Sequence, residues 1–221
     1  MSTRTKTERI QVGSWTLRTR QAEAEPVRLL LLLHGWTGDE DSMWVFVRKL
    51  SPNYCILAPR GPYPAPQGGY SWREIKPGSW GLPTVDDLRP AAEAIQGLLD
   101  LLSTHTGLEV GQIDLMGFSQ GAALAYVFAM INPDRVARVA ALSGFVPEGA
   151  ETLITGRSLT GLSFFVAHGS QDNLITVDRA RKSVRILEQA GARTTYCEDE
   201  VGHKVSSGCL KGIEAFFTPM L

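Results

Sequence analysis

The chain has 221 residues, of which 43% are hydrophobic and 20% are charged, as in ordinary globular domains. Its 22 lysines and arginines against 23 acidic residues give a formal net charge of −1, which excludes the basic excess typical of nucleic-acid partners. The apolar run at residues 29–33 is far shorter than the ~20 residues of a membrane-spanning helix, so we expect no stable membrane insertion.

Targeting signals and cysteines bear on the cellular location. The N-terminal stretch MSTRTKTERI is charged and no apolar segment follows it, so we expect no signal peptide. Three cysteines, Cys55, Cys197 and Cys209, are odd in number and lack the spacing of a metal site. We therefore expect reduced thiols in a cytoplasmic protein. We expect no metal and no other cofactor, as the family resemblance described below implies.

Short apolar runs alternate with helix-like segments along the chain. Residues 10–20 alternate apolar and polar side chains and predict an antiparallel hairpin or an edge strand. Near-continuous apolar runs predict strands buried on both faces at residues 28–35, 54–61, 112–119, 136–144 and 162–170. Helices are predicted at residues 84–107, 120–133, 176–192 and 206–221. This alternation predicts one α/β domain over residues 1–221, with a mostly parallel sheet, helices on both faces and little or no cap.

A long Pro- and Gly-rich stretch covers residues 58–84. It carries the aromatic residues Tyr63, Tyr70 and Trp72, which is too much apolar surface for a solvated linker. We therefore predict a structured loop that contributes to function.

The sequence GFSQG, residues 117–121, places a polar pair at the junction of a predicted strand and a predicted helix. This matches the G-x-S-x-G motif, whose serine occupies a sharp strand-to-helix turn with an exposed hydroxyl. The glycines leave room where the turn approaches its neighbours, and the helix that follows directs free N–H groups at the site. The motif predicts Ser119 as a nucleophile; taken alone, it also fits a tight turn capped by serine.

A serine nucleophile needs a base and an orienting acid, and two later loops supply the right residue types. Asp172 follows the predicted strand at 162–170, and His203 precedes the last helix. The order Ser, Asp, His is that of the α/β-hydrolases. Asp114, within a strand, and Asp178 and Asp199, within or beside other elements, are weaker candidates for the acid. His168 is better explained as a structural hydrogen-bonding residue near Asp172 than as the base.

The sequence LHGWTGDED, residues 33–41, follows the first buried strand and is the expected source of a second oxyanion donor. We expect the backbone N–H groups of Trp36 and Gln120 to form the oxyanion hole. The alternative is that the His–Gly pair only ends the strand in a turn.

Together these segments resemble the phospholipase/carboxylesterase group of α/β-hydrolases, the small esterases that include acyl-protein thioesterases. The matching segments are LHGWTGDED, APRGP, GGYSW, GFSQGA, HGSQDNLI and VGH, in the family order. The resemblance implies an α/β-hydrolase fold, the triad Ser119–Asp172–His203, metal-independent ester hydrolysis and a substrate pocket near Trp72 and Leu174. Thr37 stands where relatives often have a second glycine, and Trp36 is bulkier than usual, so the pocket shape is expected to differ.

We therefore predict a serine hydrolase that acts on small-molecule esters with short-to-medium acyl chains through an acyl-enzyme. Aromatic esters and thioesters are further candidate substrates, and a homodimer is a candidate assembly. The alternative is a weakly catalytic or non-catalytic ligand-binding protein on the same scaffold, because a fold does not fix a function. Nucleotide binding is disfavoured because GFSQGA lacks the G-x-G-x-x-G pattern.

Overall fold

The computed structural model describes residues 7–75, 81–106, 111–156 and 158–218. Its strands are β1 (Thr7–Val12), β2 (Trp15–Arg20), β3 (Arg28–Leu33), β4 (Tyr54–Pro59), β5 (Tyr63–Pro64), β6 (Tyr70–Ser71), β7 (Ile113–Phe118), β8 (Val136–Leu142), β9 (Ser163–Gly169) and β10 (Arg193–Asp199). Its α-helices are α1 (Val85–Thr106), α2 (Gln120–Ile131), α3 (Val177–Gln189) and α4 (Ser207–Phe217). The predicted strands and helices are all present over most of their lengths.

Eight of these strands form one sheet in the order β1-β2-β4-β3-β7-β8-β9-β10. The pairs β1–β2 and β2–β4 are antiparallel, which confirms the predicted N-terminal hairpin. All other pairs in this sheet are parallel. The chain adds β4 on one side of β3 and β7 on the other, so the carboxyl ends of β3 and β7 flank a topological switch point, where ligand sites of such sheets occur.

The near-continuous apolar sequence of β3 is explained by two cores, one on each face of the sheet. Leu31 and Leu33 pack with residues of α1 and α2 on one face. Leu30 and Leu32 pack with residues of α4 on the other. Because successive strand residues point to opposite faces, both sets must be apolar. The mostly parallel sheet with helices on both faces is confirmed.

The helices differ in how much of their surface is buried. Every residue of α2 from Gln120 to Met130 is buried, so this helix is apolar on all sides. By contrast, α3 buries only Ala180, Ser183 and Leu187 and presents a charged face outward. None of the helices in the described ranges combines the length and hydrophobicity needed to cross a bilayer.

The opposite end of β7 holds a charge cluster remote from the switch point. Asp114 is buried and accepts hydrogen bonds from Arg28, from Arg138 and from the hydroxyl of Tyr54, the last at 2.7 Å. The same hydroxyl lies 3.2 Å from the carbonyl oxygen of Phe217, near the end of α4. This aspartate therefore ties helix α4 to the sheet and does not compete for the role of triad acid.

The expectation of three reduced thiols was wrong. Cys197 in β10 and Cys209 in α4 form a disulfide, with Cα atoms 5.7 Å apart, and only Cys55 is free among the described residues. The two cysteines become neighbours because α4 packs against the edge strand β10, a proximity that their sequence spacing does not reveal. The cytoplasmic location rested partly on reduced cysteines and stays a prediction.

Candidate active site

Ser119 occupies the sharp turn between β7 and α2, at the carboxyl edge of the sheet. Its backbone has φ 53° and ψ −115°, a strained conformation for a residue with a side chain. The turn is fixed by hydrogen bonds from Ser119 N to the Leu142 carbonyl at 2.8 Å and from Ala122 N to the Ser119 carbonyl at 3.0 Å. Local strain held by surrounding structure is typical of functional sites.

The two glycines of the motif allow this turn to pack against its neighbours. A Cβ atom on Gly117 would overlap the backbone of Gly121, and one on Gly121 would overlap the carbonyl of Leu33 at the end of β3. The turn therefore approaches both its own helix and the adjacent strand too closely for any side chain. This is the steric role that the sequence predicted for both glycines.

Asp172 and His203 lie in two loops that the sheet brings together. The Asp172 carboxylate accepts a hydrogen bond from Nδ1 of His203 at 2.7 Å through Oδ2. Its other oxygen, Oδ1, accepts the backbone N–H groups of Leu174 and Ile175, both at 2.9 Å. Since an ionised carboxylate only accepts hydrogen bonds, Nδ1 of His203 carries the proton and Nε2 is left as the basic nitrogen.

The second histidine near Asp172 has a different position. His168 is buried at the end of β9, and its Nε2 lies 2.8 Å from the carbonyl oxygen of Ile175, to which it donates. The same nitrogen is 3.5 Å from Oδ2 of Asp172. His168 thus supports the turn that carries Asp172, in agreement with its predicted structural role.

One cavity of about 370 Å³ opens at this edge of the sheet. Its walls include Ser119, Gln120 and His203, together with Trp36 and Leu174. The remaining walls are residues of the predicted functional loop, the residues after β8 and the loop of Asp172: Arg73, Ile75, Gly81, Leu82, Pro83, Phe145 and Ile175. Most of them are apolar, and Arg73 is the charged residue among them. Residues 76–80 of that loop lie outside the described residues. An apolar cavity with a few converging polar groups is the usual form of a small-molecule site.

Trp36 and Gln120, the expected oxyanion donors, lie on opposite sides of Ser119 in the chain but line the same cavity. Gln120 is the first residue of α2, so its N–H has no carbonyl to bond within the helix. Trp36 lies in the turn after β3, where Thr37 has φ 66° and donates its backbone N–H to the Tyr70 carbonyl at 3.0 Å. The turn is therefore anchored to the 58–84 loop.

Trp72 does not line this cavity. It is buried, and its indole N–H donates to the carbonyl of His34 at 2.7 Å. Its backbone N–H donates to the side-chain oxygen of Gln120 at 2.9 Å. Trp72 therefore braces the turn of Trp36 against α2 from behind the pocket wall.

His34 and the side chain of Gln120 are supporting residues that the sequence analysis missed. The Nε2 atom of His34 accepts the backbone N–H of Gly61 at 2.8 Å, while Nδ1 lies 2.7 Å from the Gly35 carbonyl and donates to it. Burial lowers the pKa of His34, which favours the neutral ring that this pair of bonds requires. The signal for His34 in the sequence was its position directly after a predicted buried strand.

Comparisons with known proteins identify the family of the chain. A family model described as phospholipase/carboxylesterase matches residues 16–220. Acyl-protein thioesterase 1 of Debaryomyces hansenii is 25% identical over 191 residues, which cover 77% of this chain and 81% of that protein.

Solved structures show the same fold. The Bacillus cereus carboxylesterase has a TM-score of 0.81 at 20% identity, covering 93% of this chain and 94% of its own. A carboxylesterase from Mesorhizobium loti has a TM-score of 0.79 at 20% identity, covering 95% and 97%. Because the family model spans nearly the whole sequence, the chain belongs to the phospholipase/carboxylesterase family of α/β-hydrolases and is an esterase-type hydrolase.

Proposed function

We propose that the chain hydrolyses small carboxylic esters of short-to-medium acyl length through the triad Ser119–His203–Asp172. The observation that carries the proposal is the convergence of Ser119 and the Asp172-bonded His203 on one apolar cavity. A nucleophile, an oriented base and a water-poor pocket are the parts that acyl transfer requires.

In the first half-reaction, Nε2 of His203 takes the proton of Ser119 as the hydroxyl oxygen attacks the ester carbonyl. Asp172 stabilises the imidazolium and keeps its Nδ1–H directed at the carboxylate. The oxyanion of the tetrahedral intermediate accepts hydrogen bonds from the backbone N–H groups of Trp36 and Gln120. In such sites the removal of one oxyanion donor costs about 10²–10³ in rate.

In the second half-reaction, the imidazolium gives its proton to the departing alcohol oxygen and the acyl-enzyme remains. Water then attacks the acyl carbonyl, with His203 again as base, and releases the acid and Ser119. Thioesters react by the same steps, and the resemblance to acyl-protein thioesterase 1 supports them as a second substrate class. Catalysis by a single chain suffices for this chemistry, and the homodimer stays a prediction.

The test is hydrolysis of p-nitrophenyl esters from acetate to decanoate by the wild type and by Ser119→Ala. We expect saturable turnover in the wild type and background rates in the variant. Ser51→Ala is the matched control, since Ser51 lies before β4 at the opposite edge of the sheet. Equal turnover by the wild type and Ser119→Ala would refute the serine mechanism, and the absence of turnover in both would favour the ligand-binding alternative.

A further inference from the structure

A second cavity, of about 330 Å³, adjoins the candidate active site. Trp36 forms part of the walls of both cavities. The second cavity is otherwise lined by residues of the turn around Trp36, by Ser42 and by apolar residues that include Met43, Val45 and Phe118. Trp36 is therefore the shared boundary of two cavities, the first of which also reaches Ser119 and His203.

The wall of the second cavity touches the groups proposed to react. Phe118 directly precedes Ser119, and its ring centroid lies 5.1 Å from that of the His203 imidazole. Gly35, another wall residue, is so close that a Cβ atom built on it would lie 3.4 Å from Cβ of Ser119. A molecule in this cavity would therefore contact Gly35 and Phe118, the residues that pack against Ser119 and His203, while the reacting groups themselves line the first cavity.

The chemistry of an ester requires two such spaces. Once Ser119 has attacked, the carbonyl carbon bears an acyl arm and an alkoxy arm that must extend in different directions. The alkoxy oxygen must also be close to the imidazolium that protonates it as the carbon–oxygen bond breaks. With that oxygen beside His203 in the first cavity, the rest of the alkoxy arm can extend past Phe118, whose ring lies against the imidazole and borders the second cavity.

We propose that the second cavity binds the alcohol portion of the ester, that the first binds the acyl chain, and that the side chain of Trp36 sets the selectivity between them. This inference rests on the proposed function. The wall residues of the second cavity are uncharged, so the preferred leaving group is an uncharged alkyl or aryl alcohol. Two cavities of similar size, about 370 and 330 Å³, allow substituents on both sides of the ester.

The backbone of the turn that carries Trp36 is held by neighbouring residues. Thr37 donates its hydroxyl to the Trp36 carbonyl at 2.6 Å, and Tyr70 donates its backbone N–H to the Gly38 carbonyl at 2.8 Å. A Cβ atom on Gly69 would overlap the backbone of Thr37, so the two segments are in direct contact. The backbone that carries the indole is therefore held in place, and within the proposal the volume on each side of Trp36 limits the size of the substrate arm that fits there.

The test compares kcat/KM for two ester series: butyrates of methanol to hexanol, and methyl esters of acetate to decanoate. Val45→Trp narrows the second cavity at its half-exposed rim. We expect it to lower the hexyl-to-methyl ratio for butyrates about tenfold or more, since poorly accommodated methylene groups cost at least this factor. Leu82→Trp, at the rim of the first cavity, is expected to lower the decanoate-to-acetate ratio instead. Trp36→Ala should weaken both preferences.

Leu101→Trp adds an exposed tryptophan on α1 and controls for effects of a new surface tryptophan away from both cavities. If Val45→Trp is unstable, Val45→Phe is a milder second variant. Suppose that folded Val45→Trp keeps its Ser119-dependent activity. If its dependence of kcat/KM on alcohol chain length is then unchanged, or its dependence on acyl chain length is changed, the assignment of the cavities is overturned. Activity that survived Ser119→Ala would instead refute the proposed mechanism, and the assignment with it.

Discussion

Asp172 holds His203 by a 2.7 Å hydrogen bond from Nδ1, while the backbone N–H groups of Leu174 and Ile175 hold the carboxylate itself. The imidazole is therefore oriented by a group that is itself fixed on two sides. In the proposed mechanism this arrangement sets which ring nitrogen is free to act as the base.

Replacement of Asp172 by asparagine should therefore stop His203 from acting as the base, although the imidazole itself stays in place. An amide can donate to Nδ1, which places the imidazole proton on Nε2, the nitrogen that must accept the serine proton. We expect kcat to fall by about 10⁴, as in the Ser-His-Asp enzyme in which this change has been made. Steady-state hydrolysis of p-nitrophenyl butyrate measures the effect. Asp178→Asn, at an exposed carboxylate in the first turn of α3, should retain normal kcat; a similarly active Asp172→Asn would contradict the assigned acid.

The close packing at the nucleophile turn predicts opposite effects for two Gly→Ala substitutions. Gly121→Ala should lower the free energy of unfolding by several kcal/mol, since its Cβ would overlap the Leu33 carbonyl and a packed core cannot shift at low cost. Gly97→Ala lies within α1 with open space around the new methyl group, so it should stabilise the protein by up to about 1 kcal/mol. Urea denaturation of both variants measures these changes, and equal midpoints would contradict the packing described.

The disulfide between Cys197 and Cys209 closes a segment that contains His203. Because cross-linking a loop of this size restricts the unfolded chain, its loss should cost about 3 kcal/mol of unfolding free energy. Dithiothreitol should lower the urea midpoint of the wild type but not that of the double variant Cys197→Ala/Cys209→Ala. Cys55→Ala should respond to reductant as the wild type does. A wild-type midpoint that is insensitive to reductant would show that the bond does not stabilise the protein.

His34 should make stability depend on pH. Burial lowers its pKa below the ordinary value of 6.5, so the folded state binds fewer protons than the unfolded state. The stability that neutral His34 contributes is therefore fully present above pH 6.5, and it is lost as the pH falls through the pKa of His34 in the folded protein. Protonation of Nε2 would also break the bond from Gly61 N–H. The pKa of Glu40 is lowered by its hydrogen bonds with Arg60, so that carboxylate titrates below 4.5 and outside this window.

The measurement is the Tm between pH 7.5 and 5.5. We expect the wild type to lose stability across this range. His34→Gln keeps an acceptor for Gly61 but does not titrate, so its Tm should depend less on pH. Parallel curves for the two proteins would exclude His34 as the source of the dependence.

The predicted strands, helices and fold were recoverable from sequence because burial on both faces gives strands such as β3 an uninterrupted apolar pattern. The edge strand β10 was not predicted: its sequence, RTTYCED, is mostly polar because one edge and much of its surface face solvent. The residue types and chain order of Ser119, Asp172 and His203 were readable, since each follows or precedes a recognisable element. The second cavity could not be predicted from the sequence. Its walls combine residues near Gly35, near Val45 and at Phe118, which only the folded chain brings together.

Helix α2 and the loops around the cavities carry different evolutionary constraints. The helix that follows Ser119 is buried from Gln120 to Met130, so almost any substitution there disturbs the core. The cavity rims are formed by exposed side chains such as Val45, Leu82 and Leu174, whose replacement disturbs little packing. Single changes at the rims can therefore alter the space open to a substrate and leave Ser119 and its turn as they are.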